Sequence, residues 1–299
     1  MLHLGVDIGG TKTDGVAIDD DGAVAHRVRI ATGTGPDAVL AAAARVVDEL
    51  GEHTGQFVSL GVGIPGQIEY GRVRNAVNLG IEELDLAGLL SARYGVDVAV
   101  ENDVKAAALG AFHLYPGWKS MAFLNLGTGV AAGIVQDGVL LRGSRGAAGE
   151  VGHMVVDPCG PACTCGQRGC VEALCGGGAI ARRWAGGEPV AARAVWDAGD
   201  SGDVRARRIR QDAVAGVAAA VRLLVLTVDV DVVVLGGGLT GLGERLLEPV
   251  REALRTAGRD SRFIASLELE QRVLLVDSSV PAAAFGAALV GRTEVRSNG

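Results

Sequence analysis

Four residues in one short stretch of the chain have the types and spacing of a metal site. His153 is followed by Cys163, Cys165 and Cys170, with glycines interspersed among the cysteines. One imidazole and three thiolates form the closed tetrahedral ligand set that zinc prefers in structural sites. The glycines allow the tight backbone turns through which such closely spaced ligands converge on one ion. The stretch therefore predicts a structural Zn²⁺ site.

The alternative interpretation of this stretch is a disulfide cluster or a group of buried free thiols. All five cysteines of the 299-residue chain fall between Cys159 and Cys175. This crowding argues against a disulfide framework, which would staple distant parts of a small secreted chain. We predict that Cys159 and Cys175 lie outside the metal-ligand set.

Two carboxylates, Glu150 and Glu172, flank the four predicted ligands. A closed zinc site with four protein ligands does not need them. The metal would instead fix a loop that presents Glu150, His153 and Glu172 to another molecule. The stretch thus predicts a binding site built next to a structural metal.

Composition places the chain among globular proteins of about two domains. Hydrophobic residues make up 48% and aromatic residues 4%, so the core consists mainly of Ala, Val and Leu. The formal charge of −7 gives no support for nucleic-acid binding through a basic surface. No signal peptide is apparent, and the most apolar run (213–239) is interrupted by charged residues. We expect a cytoplasmic protein without membrane spans.

Two segments share the order strand, glycine turn, strand, turn, strand. The first begins with Leu2–Ile8 and turns at Gly9-Gly10-Thr11-Lys12, and the second covers residues 122–141 and turns at Gly127-Thr128-Gly129. This repetition predicts two related domains. Each turn offers backbone N–H groups and a threonine hydroxyl to phosphate oxygens. A plain hairpin is the alternative for either turn alone, but the pair, with Asp7 and Lys12, favours nucleotide phosphates.

Two further strand ends are candidate ligand sites. The strand Val96–Val100 delivers Glu101-Asn102-Asp103 to its carboxyl end, where ligands bind in open α/β sheets. Asn or Asp at that point would equally serve as a helix N-cap. Gly236-Gly237-Gly238 separates a strand from a helix, where it would allow close approach of a ligand or form a tight turn.

The remaining pattern indicates an α/β chain divided near Pro116-Gly117. We expect an N-terminal domain over residues 1–115 and a C-terminal domain, with the zinc segment, over residues 116–280. A closing helix over residues 281–292 would return to the first domain. Glu188-Pro189 indicates a helix start, and Leu267–Val276 reads as the last strand.

The combined motifs resemble the ROK family of sugar kinases and sugar-responsive repressors, and among these most closely the bacterial zinc-containing glucokinases. The resemblance covers essentially the whole chain and rests on DIGGTK (7–12), IPG (64–66), NL (78–79), END (101–103), LGTG (126–129) and GEVGH…CTCGQRGCVE (149–172). It implies a two-domain actin/hexokinase-like (ribonuclease H-like) α/β fold with the active site in the interdomain cleft. ROK repressors carry a helix-turn-helix domain ahead of this body, and we expect none here.

The resemblance also implies roles for individual residues. Asp103 would be the general base, and Asp7 would lie near Mg²⁺. The ATP phosphates would contact Gly9, Gly10, Thr11, Lys12, Thr128 and Gly129, while Gly236, Gly237 and Gly238 would pass near the adenosine. The sugar would be bound by Gly66, Asn78, Asn102, Asp103, Glu150, His153 and Glu172, with His153 also a zinc ligand.

The expected activity is therefore ATP-dependent phosphorylation of a hexose, most directly glucose at O6. The alternatives are a kinase for N-acetylmannosamine, N-acetylglucosamine or another hexose, and a catalytically idle sugar-sensing regulator. An acetate- or glycerol-type kinase of the same superfamily is disfavoured by the zinc segment. Two departures matter: Ile81 replaces a tryptophan common in the glucokinases, and Ala131-Ala132 replaces a glycine pair. Homodimers are common in the family, so a homodimer is expected.

Overall fold

The computed structural model of the protein describes residues 1–185, 192–277 and 281–297, so the helix start predicted at Glu188-Pro189 lies outside the described residues. The strands are β1 His3–Ile8, β2 Lys12–Ile18, β3 Val24–Ala31, β4 Ser59–Ile64, β5 Gln67–Glu69, β6 Arg72–Ala76, β7 Ile81–Leu84, β8 Val98–Asn102, β9 Ser120–Leu126, β10 Val130–Gln136, β11 Val139–Leu140, β12 Val232–Gly236 and β13 Val273–Leu275. The helices are α1 Pro36–Thr54, α2 Leu86–Tyr94, α3 Asp103–Leu114, α4 Val171–Cys175, α5 Gly177–Ala185, α6 Ala192–Asp200, α7 Val204–Val228, α8 Glu244–Arg259, α9 Arg262–Ser266 and α10 Ala282–Ser297.

Two five-stranded sheets repeat one topology. Their strand orders are β3-β2-β1-β4-β8 and β11-β10-β9-β12-β13. In the first sheet β2 is antiparallel to β1 and β3, while β1, β4 and β8 run parallel. In the second sheet β9, β12 and β13 are likewise parallel. The repetition agrees with the two strand-turn-strand segments of the sequence, and it puts both glycine turns at equivalent positions.

Two elements differ from the sequence prediction. The last strand covers only Val273–Leu275, because residues 267–272 form turns and Glu268 adopts a positive φ of 47°. A third sheet, in the order β5-β6-β7, has no counterpart in the prediction. Its strands are short and charged, and its exposed face carries cross-strand ion pairs such as Arg72 with Glu83. Such strands lack the apolar alternation by which strands are recognised.

Helix α10 fixes the position of α3 in the first half of the chain. A Cβ atom at Gly5 of β1 would lie 2.0 Å from the Ala284 carbonyl oxygen, and one at Gly61 of β4 would lie 1.8 Å from that of Ala287. A Cβ atom at Gly286 would likewise lie 1.7 Å from the Ala106 carbonyl oxygen of α3. Glycine is required at these positions because the backbones touch. Helix α3, which begins at Asp103, is thereby held against the sheet.

Contacts divide the described chain into two compact units. The first contains Met1–Gly117, Gly133–Ala148 and α10, and the second contains Trp118–Ala132 together with the described residues from Gly149 to Asp277. Whether these units are the functional domains expected above stays a prediction. Helix α7 is long and apolar enough to cross a membrane by length and composition alone. Its buried face packs against α4, α6 and α8, as in the core of a globular unit.

Candidate functional site

Two acidic residues face each other across the carboxyl ends of the parallel strands of the first sheet. Asp7 of β1 is paired in register with Gly63 of β4, which is paired with Glu101 of β8. A Cβ atom at Gly63 would lie 3.6 Å from both Asp7 Oδ1 and Asp103 Cα. Gly63 therefore lies between the Asp7 carboxylate and the backbone of Asp103.

The electrostatics of this strand-end cluster suit a cation. Burial raises the pKa of the Asp7 carboxyl well above its usual range, and the negative charges of Asp103 and Asp14 raise it further. Lys12 opposes this rise in the pKa. A divalent cation would relieve the repulsion, and carboxylate oxygens are the ligands that Mg²⁺ takes from proteins. Asp7 and its neighbours thus fit the Mg²⁺ association that the family resemblance implies.

Asn102 is the N-cap of α3, and most of its hydrogen-bonding capacity is used within the protein. Its Oδ1 accepts from the backbone N–H groups of Val104 at 3.1 Å and Lys105 at 3.2 Å. Its Nδ2 donates to the Gly66 carbonyl oxygen at 3.4 Å. An amide nitrogen has two hydrogens, so one N–H donor is left for a ligand. The N-cap and ligand interpretations of the sequence are therefore compatible at this residue.

Glu101, to which the sequence analysis assigned no role, and Lys105, which it did not select, are both buried close to Asn102 and Asp103 in the sequence. Glu101 Oε1 accepts from the backbone N–H of Asn102 at 2.9 Å, and its Oε2 accepts from Arg142 Nε at 2.6 Å. Lys105 Nζ donates to the Gly146 carbonyl oxygen. Both side chains thereby tie the start of α3 to the loop 142–148. The signal in the sequence that could have identified them is a charged residue close to Asn102 in an otherwise apolar strand and helix.

The first glycine turn is open to solvent. Gly9 N–H donates to the Lys12 carbonyl oxygen at 3.0 Å, which closes the turn between β1 and β2. Gly10, Thr11 and Lys12 are exposed, and a Cβ atom at Gly10 would meet nothing within 4 Å. The turn thus presents a lysine and accessible backbone donors at the end of the strand that carries Asp7.

The second glycine turn and the Gly236–Gly238 turn lie at neighbouring strand ends of the second sheet. Gly236 of β12 is in register with Asn125 of β9. The Asn125 side chain lies between the two turns, because a Cβ atom would approach it within 3.2 Å at Gly127 and within 2.6 Å at Gly237. The structure therefore brings Thr128 and Gly129 close to the predicted adenosine turn, and Asn125 is a neighbour that the sequence analysis missed.

The four predicted metal ligands converge. The candidate ligand atoms of His153, Cys163, Cys165 and Cys170 all lie within 4.8 Å of one another. Cys165 Sγ and Cys170 Sγ are 3.7 Å apart. Two sulfurs bound to one tetrahedral zinc, each at about 2.3 Å, would be about 3.8 Å apart. The cluster thus fits a zinc ion with four protein ligands and no open position.

Gln167 supports this cluster from within the same loop. Its Nε2 lies 3.4 Å from Cys165 Sγ, 3.8 Å from Cys170 Sγ and 3.2 Å from the His153 carbonyl oxygen, to which it donates. Hydrogen bonds from Gln167 lower the pKa of the Cys165 thiol to about 6, whereas burial raises that of Cys170 to about 12. A bound cation would offset the cost of burying the Cys170 thiolate.

The other two cysteines lie away from the cluster. Cys159 is exposed, and its backbone N–H donates to Asp157 Oδ1. Cys175 is buried at the contact between α4 and α7, where its Sγ donates to the Val171 carbonyl oxygen and would be 3.3 Å from a Cβ atom at Gly216. Neither belongs to the group of ligand atoms found among the described residues.

The segment that carries Glu150 and His153 lies directly on strand β10. A Cβ atom at Gly149 would lie 1.8 Å from the Ala132 carbonyl oxygen, and one at Gly152 would lie 1.9 Å from that of Val130. Both glycines of the GEVGH motif are therefore needed for backbone contact. Glu150 precedes the 3₁₀ turn Val151–His153, and its carbonyl oxygen accepts from His153 N–H. This bond holds the backbone between Glu150 and His153 in one tight turn.

Glu172 also reaches the second glycine turn. Its Oε2 accepts from the Val130 backbone N–H at 3.0 Å, although the two residues are 42 positions apart. The same oxygen would lie 2.6 Å from a Cβ atom at Gly129. One predicted sugar ligand is thus in contact with the predicted phosphate turn.

The remaining sugar-binding candidates lie in the first unit. Gly66 has a positive φ of 114°, and Asn78 is exposed in the 3₁₀ turn Val77–Leu79. Ile81 is 2% exposed and belongs to the hydrophobic core cluster of this unit. Ile81 therefore contributes to packing.

Comparisons of sequence and of structure both find similarity to ROK family proteins and sugar kinases. The ROK family profile matches residues 3–293. A glucokinase from Thermotoga maritima is 33% identical over 94% of this chain and 95% of its own length. An N-acetylmannosamine kinase from Citrobacter koseri is 35% identical over 85% of this chain and 89% of its own. The structure is similar to that of a ROK family glucokinase from Streptomyces griseus in complex with glucose and AMPPNP, with a TM-score of 0.78, 28% identity and coverage of 98% and 100%.

Proposed function

The chain belongs to the ROK family and has an actin/hexokinase-like α/β fold, and from this premise we propose that it transfers the γ-phosphoryl group of ATP to a hexose hydroxyl. The preferred acceptor in this proposal is O6 of glucose. The observation that carries it is the strand-end cluster, in which Asp7 and Asp103 lie on either side of Gly63. Relatives with kinase activity in their names support the same reaction class.

Asp103 acts as the general base in this proposal. It begins α3 directly after Asn102, whose cap fixes the first turn of the helix. A positioned carboxylate can accept the proton of the attacking hydroxyl. Phosphoryl transfer requires little other covalent chemistry from the protein. Glu101 Oε1 accepts from the Asn102 backbone N–H, so the residue before Asp103 is held both by Glu101 and by its own cap bonds to α3.

Asp7 and Lys12 complete the charge arrangement. Mg²⁺ bound with ATP would neutralise phosphate charge, and Asp7 would hold it through water. Lys12, at the end of the open first turn, would contact phosphate oxygens together with the backbone of Gly9, Gly10 and Thr11. The raised pKa of Asp7 supports this assignment, because a nearby cation would favour its ionised form.

The sugar in this proposal is held by seven hydrogen-bonding residues: Gly66, Asn78, Asn102, Asp103, Glu150, His153 and Glu172. Charged acceptors make strong hydrogen bonds to sugar hydroxyls. His153, Cys163, Cys165 and Cys170 would hold Zn²⁺, which supplies rigidity and fixes the imidazole orientation. His153 would use its second ring nitrogen for the sugar.

The nucleotide is assigned to the two glycine turns and to the Gly236–Gly238 segment. Thr128 and Gly129 would contact phosphates, and Gly238 would pass near the adenosine. A Cβ atom at Gly238 would meet nothing within 4 Å, which leaves room for a ligand at that face. Gly236 and Gly237 are required for packing against β9, where a Cβ atom would approach Phe123 or Asn125 within 2.6 Å.

An N-acetyl hexosamine, above all N-acetylmannosamine, is the second candidate acceptor. The N-acetylmannosamine kinase and the glucokinase that resemble this chain do so at similar identity, 35% and 33%. Glucose is preferred because the proposed sugar groups all pair with hydroxyls, and a site built in this way discriminates against acceptors that leave its polar groups unpaired.

Initial rates of ATP consumption decide between these acceptors. Glucose, mannose, fructose, N-acetylmannosamine and N-acetylglucosamine are compared at equal concentrations with purified protein, ATP and Mg²⁺. Glucose should have the highest kcat/KM. A value at least tenfold higher for an N-acetyl sugar would overturn the choice of glucose. Sugar binding by calorimetry without ATP consumption for any acceptor would instead indicate a sensor.

A further inference from the structure

The segment from Glu172 to Gly178 contacts the second glycine turn at three successive points. Glu172 Oε2 accepts from Val130 N–H at 3.0 Å. Gly177 N–H donates to the Gly127 carbonyl oxygen at 2.8 Å, and Gly178 N–H donates to that of Thr128 at 2.9 Å. The first N–H groups of α5 are therefore satisfied by the turn itself.

This contact depends on the three consecutive glycines that follow α4. A Cβ atom at Gly177 would lie 2.9 Å from the Gly127 carbonyl oxygen. Cβ atoms at Gly176 and Gly178 would lie 3.2 and 3.1 Å from the Thr128 carbonyl oxygen. Any side chain at Gly177 would push the turn away, because the atom it meets belongs to the backbone.

The orientation of the turn follows from these bonds. In a trans peptide the C=O and N–H groups point in opposite directions. Because the carbonyl groups of Gly127 and Thr128 point at α5, the N–H groups of Thr128 and Gly129 point away from it. Neither N–H has an acceptor in the described part of the chain. The Val130 N–H, by contrast, is used by Glu172.

We propose that Glu172, Gly177 and Gly178 are positioning residues that hold the second turn so that the Thr128 and Gly129 N–H groups face the ATP phosphates. This inference rests on the proposed function and extends it: one carboxylate, Glu172, serves the sugar with one oxygen and the nucleotide turn with the other. Since Glu172 stands two residues after the predicted zinc ligand Cys170, the start of the positioning segment is fixed by the metal cluster.

Two substitutions of Glu172 separate its two tasks. Glu172→Gln keeps an oxygen that can accept from Val130 N–H, whereas Glu172→Ala removes the acceptor and leaves that N–H unpaired. The dissociation constants of AMPPNP with Mg²⁺ and of glucose are measured by calorimetry. Glucose affinity should fall in both variants. AMPPNP affinity should fall about tenfold in Glu172→Ala and stay within about twofold of wild type in Glu172→Gln.

Glu150→Ala is the matched control, because its side chain makes no hydrogen bond among the described residues. It should weaken glucose binding and leave AMPPNP affinity unchanged. A wild-type AMPPNP affinity in Glu172→Ala, or equal losses in the Ala and Gln variants, would overturn the positioning role while leaving the proposed function intact. If the wild-type protein binds no AMPPNP, the proposed function and this inference both fail.

A glycine substitution tests the same geometry without touching a carboxylate. Gly177→Ala should lower AMPPNP affinity about tenfold or more, with glucose affinity much less affected. Gly51→Ala, in α1, adds a methyl group that meets nothing within 4 Å and should change neither affinity. Unchanged AMPPNP affinity in a folded Gly177→Ala protein, as judged by circular dichroism, would contradict the proposal. If that variant does not fold, the two Glu172 variants decide the question.

Discussion

The two glycine turns occupy equivalent places in two sheets of the same topology, yet they are built differently. The first turn is open: a Cβ atom at Gly10 would meet no neighbour within 4 Å, and charged residues stand at both ends of the turn, Asp7 and Lys12. The second turn has no charged residue of its own and is held from outside by Glu172, Gly177 and Gly178. The same kind of glycine turn is thus flanked by charged residues in the first sheet and held in position by hydrogen bonds from another segment in the second sheet. Substitutions at the first should change chemistry, and those at the second should change binding.

The largest effect is expected at the charged strand end. Asp103→Asn should lower kcat by about 10²–10⁴-fold, the usual contribution of a positioned general base, with sugar affinity nearly unchanged. Steady-state rates and calorimetric sugar binding measure the two quantities. Asp37→Asn is the control, because Asp37 is also a first-turn carboxylate, in α1, and is exposed. Near-normal turnover in Asp103→Asn would reduce Asp103 to a structural residue at the start of α3.

Loss of the metal tests how the second glycine turn is held in position. Wild-type protein should contain about one zinc per chain, Cys159→Ser should keep it, and Cys165→Ser should lose most of it. Both cysteines are exposed, so neither substitution disturbs the core. Loss of the metal should abolish sugar binding and weaken AMPPNP binding about tenfold, because Glu172 loses its support. Elemental analysis and calorimetry check both results, and full AMPPNP affinity in zinc-free protein would separate the second turn from the metal.

A smaller effect is expected at the ion pair between Arg142 and Glu101 of β8. Arg142→Ala leaves the Glu101 carboxylate, whose side chain is 7% exposed, without its cation. The free energy of unfolding should fall by about 1–3 kcal/mol, and kcat should fall as well, because Glu101 also holds the Asn102 backbone. Arg74→Ala is matched in exposure but pairs with the exposed Glu69 and Glu83, so its cost should stay below about 1 kcal/mol. Equal costs in urea denaturation would argue against a special role for Glu101.

The smallest effect is expected for the pH dependence of stability through Asp7, which lies in β1 just before the first turn. The native Asp7 carboxyl has a raised pKa, so it binds its proton more tightly than the unfolded chain does. Stability therefore falls as pH rises from about 3.9 through the native pKa. In magnesium-free buffer, Asp7→Asn should be more stable than wild type at pH 7, and the difference should vanish as pH falls below about 4. Thermal unfolding across this range measures it. A difference in stability between Asp7→Asn and wild type that does not depend on pH would show that ionisation of Asp7 is not what destabilises the wild-type protein.

Local patterns were sufficient where the interacting residues are close in the sequence. The His153 and cysteine cluster, both glycine turns and the strand that ends at Asn102 follow from spacing and hydropathy within short windows. The α/β class and the ROK resemblance, both confirmed, rest on such windows. The roles assigned to the individual site residues stay predictions.

Long-range contacts account for what the sequence did not reveal. The short charged strands β5, β6 and β7 carry no apolar alternation, and their pairing depends on each other. The sequence analysis singled out Ile81 as a departure from the tryptophan common in the glucokinases, and the structure puts its side chain in a hydrophobic core. Glu101 and Lys105 acquire their partners in loop 142–148 only when the chain has folded.

The sequence by itself determined which chemistry is available: a closed metal-ligand set, two glycine turns and carboxylates at strand ends. It did so because ligand spacing, turn geometry and strand periodicity are properties of short segments. Only the tertiary structure decided which oxygen meets which donor. Glu172 and Val130 are 42 residues apart, and no periodicity in the chain indicates that the proposed sugar-binding carboxylate contacts the proposed phosphate-binding turn. That contact forms only when the folded chain brings Glu172 of α4 to Val130 at the start of β10.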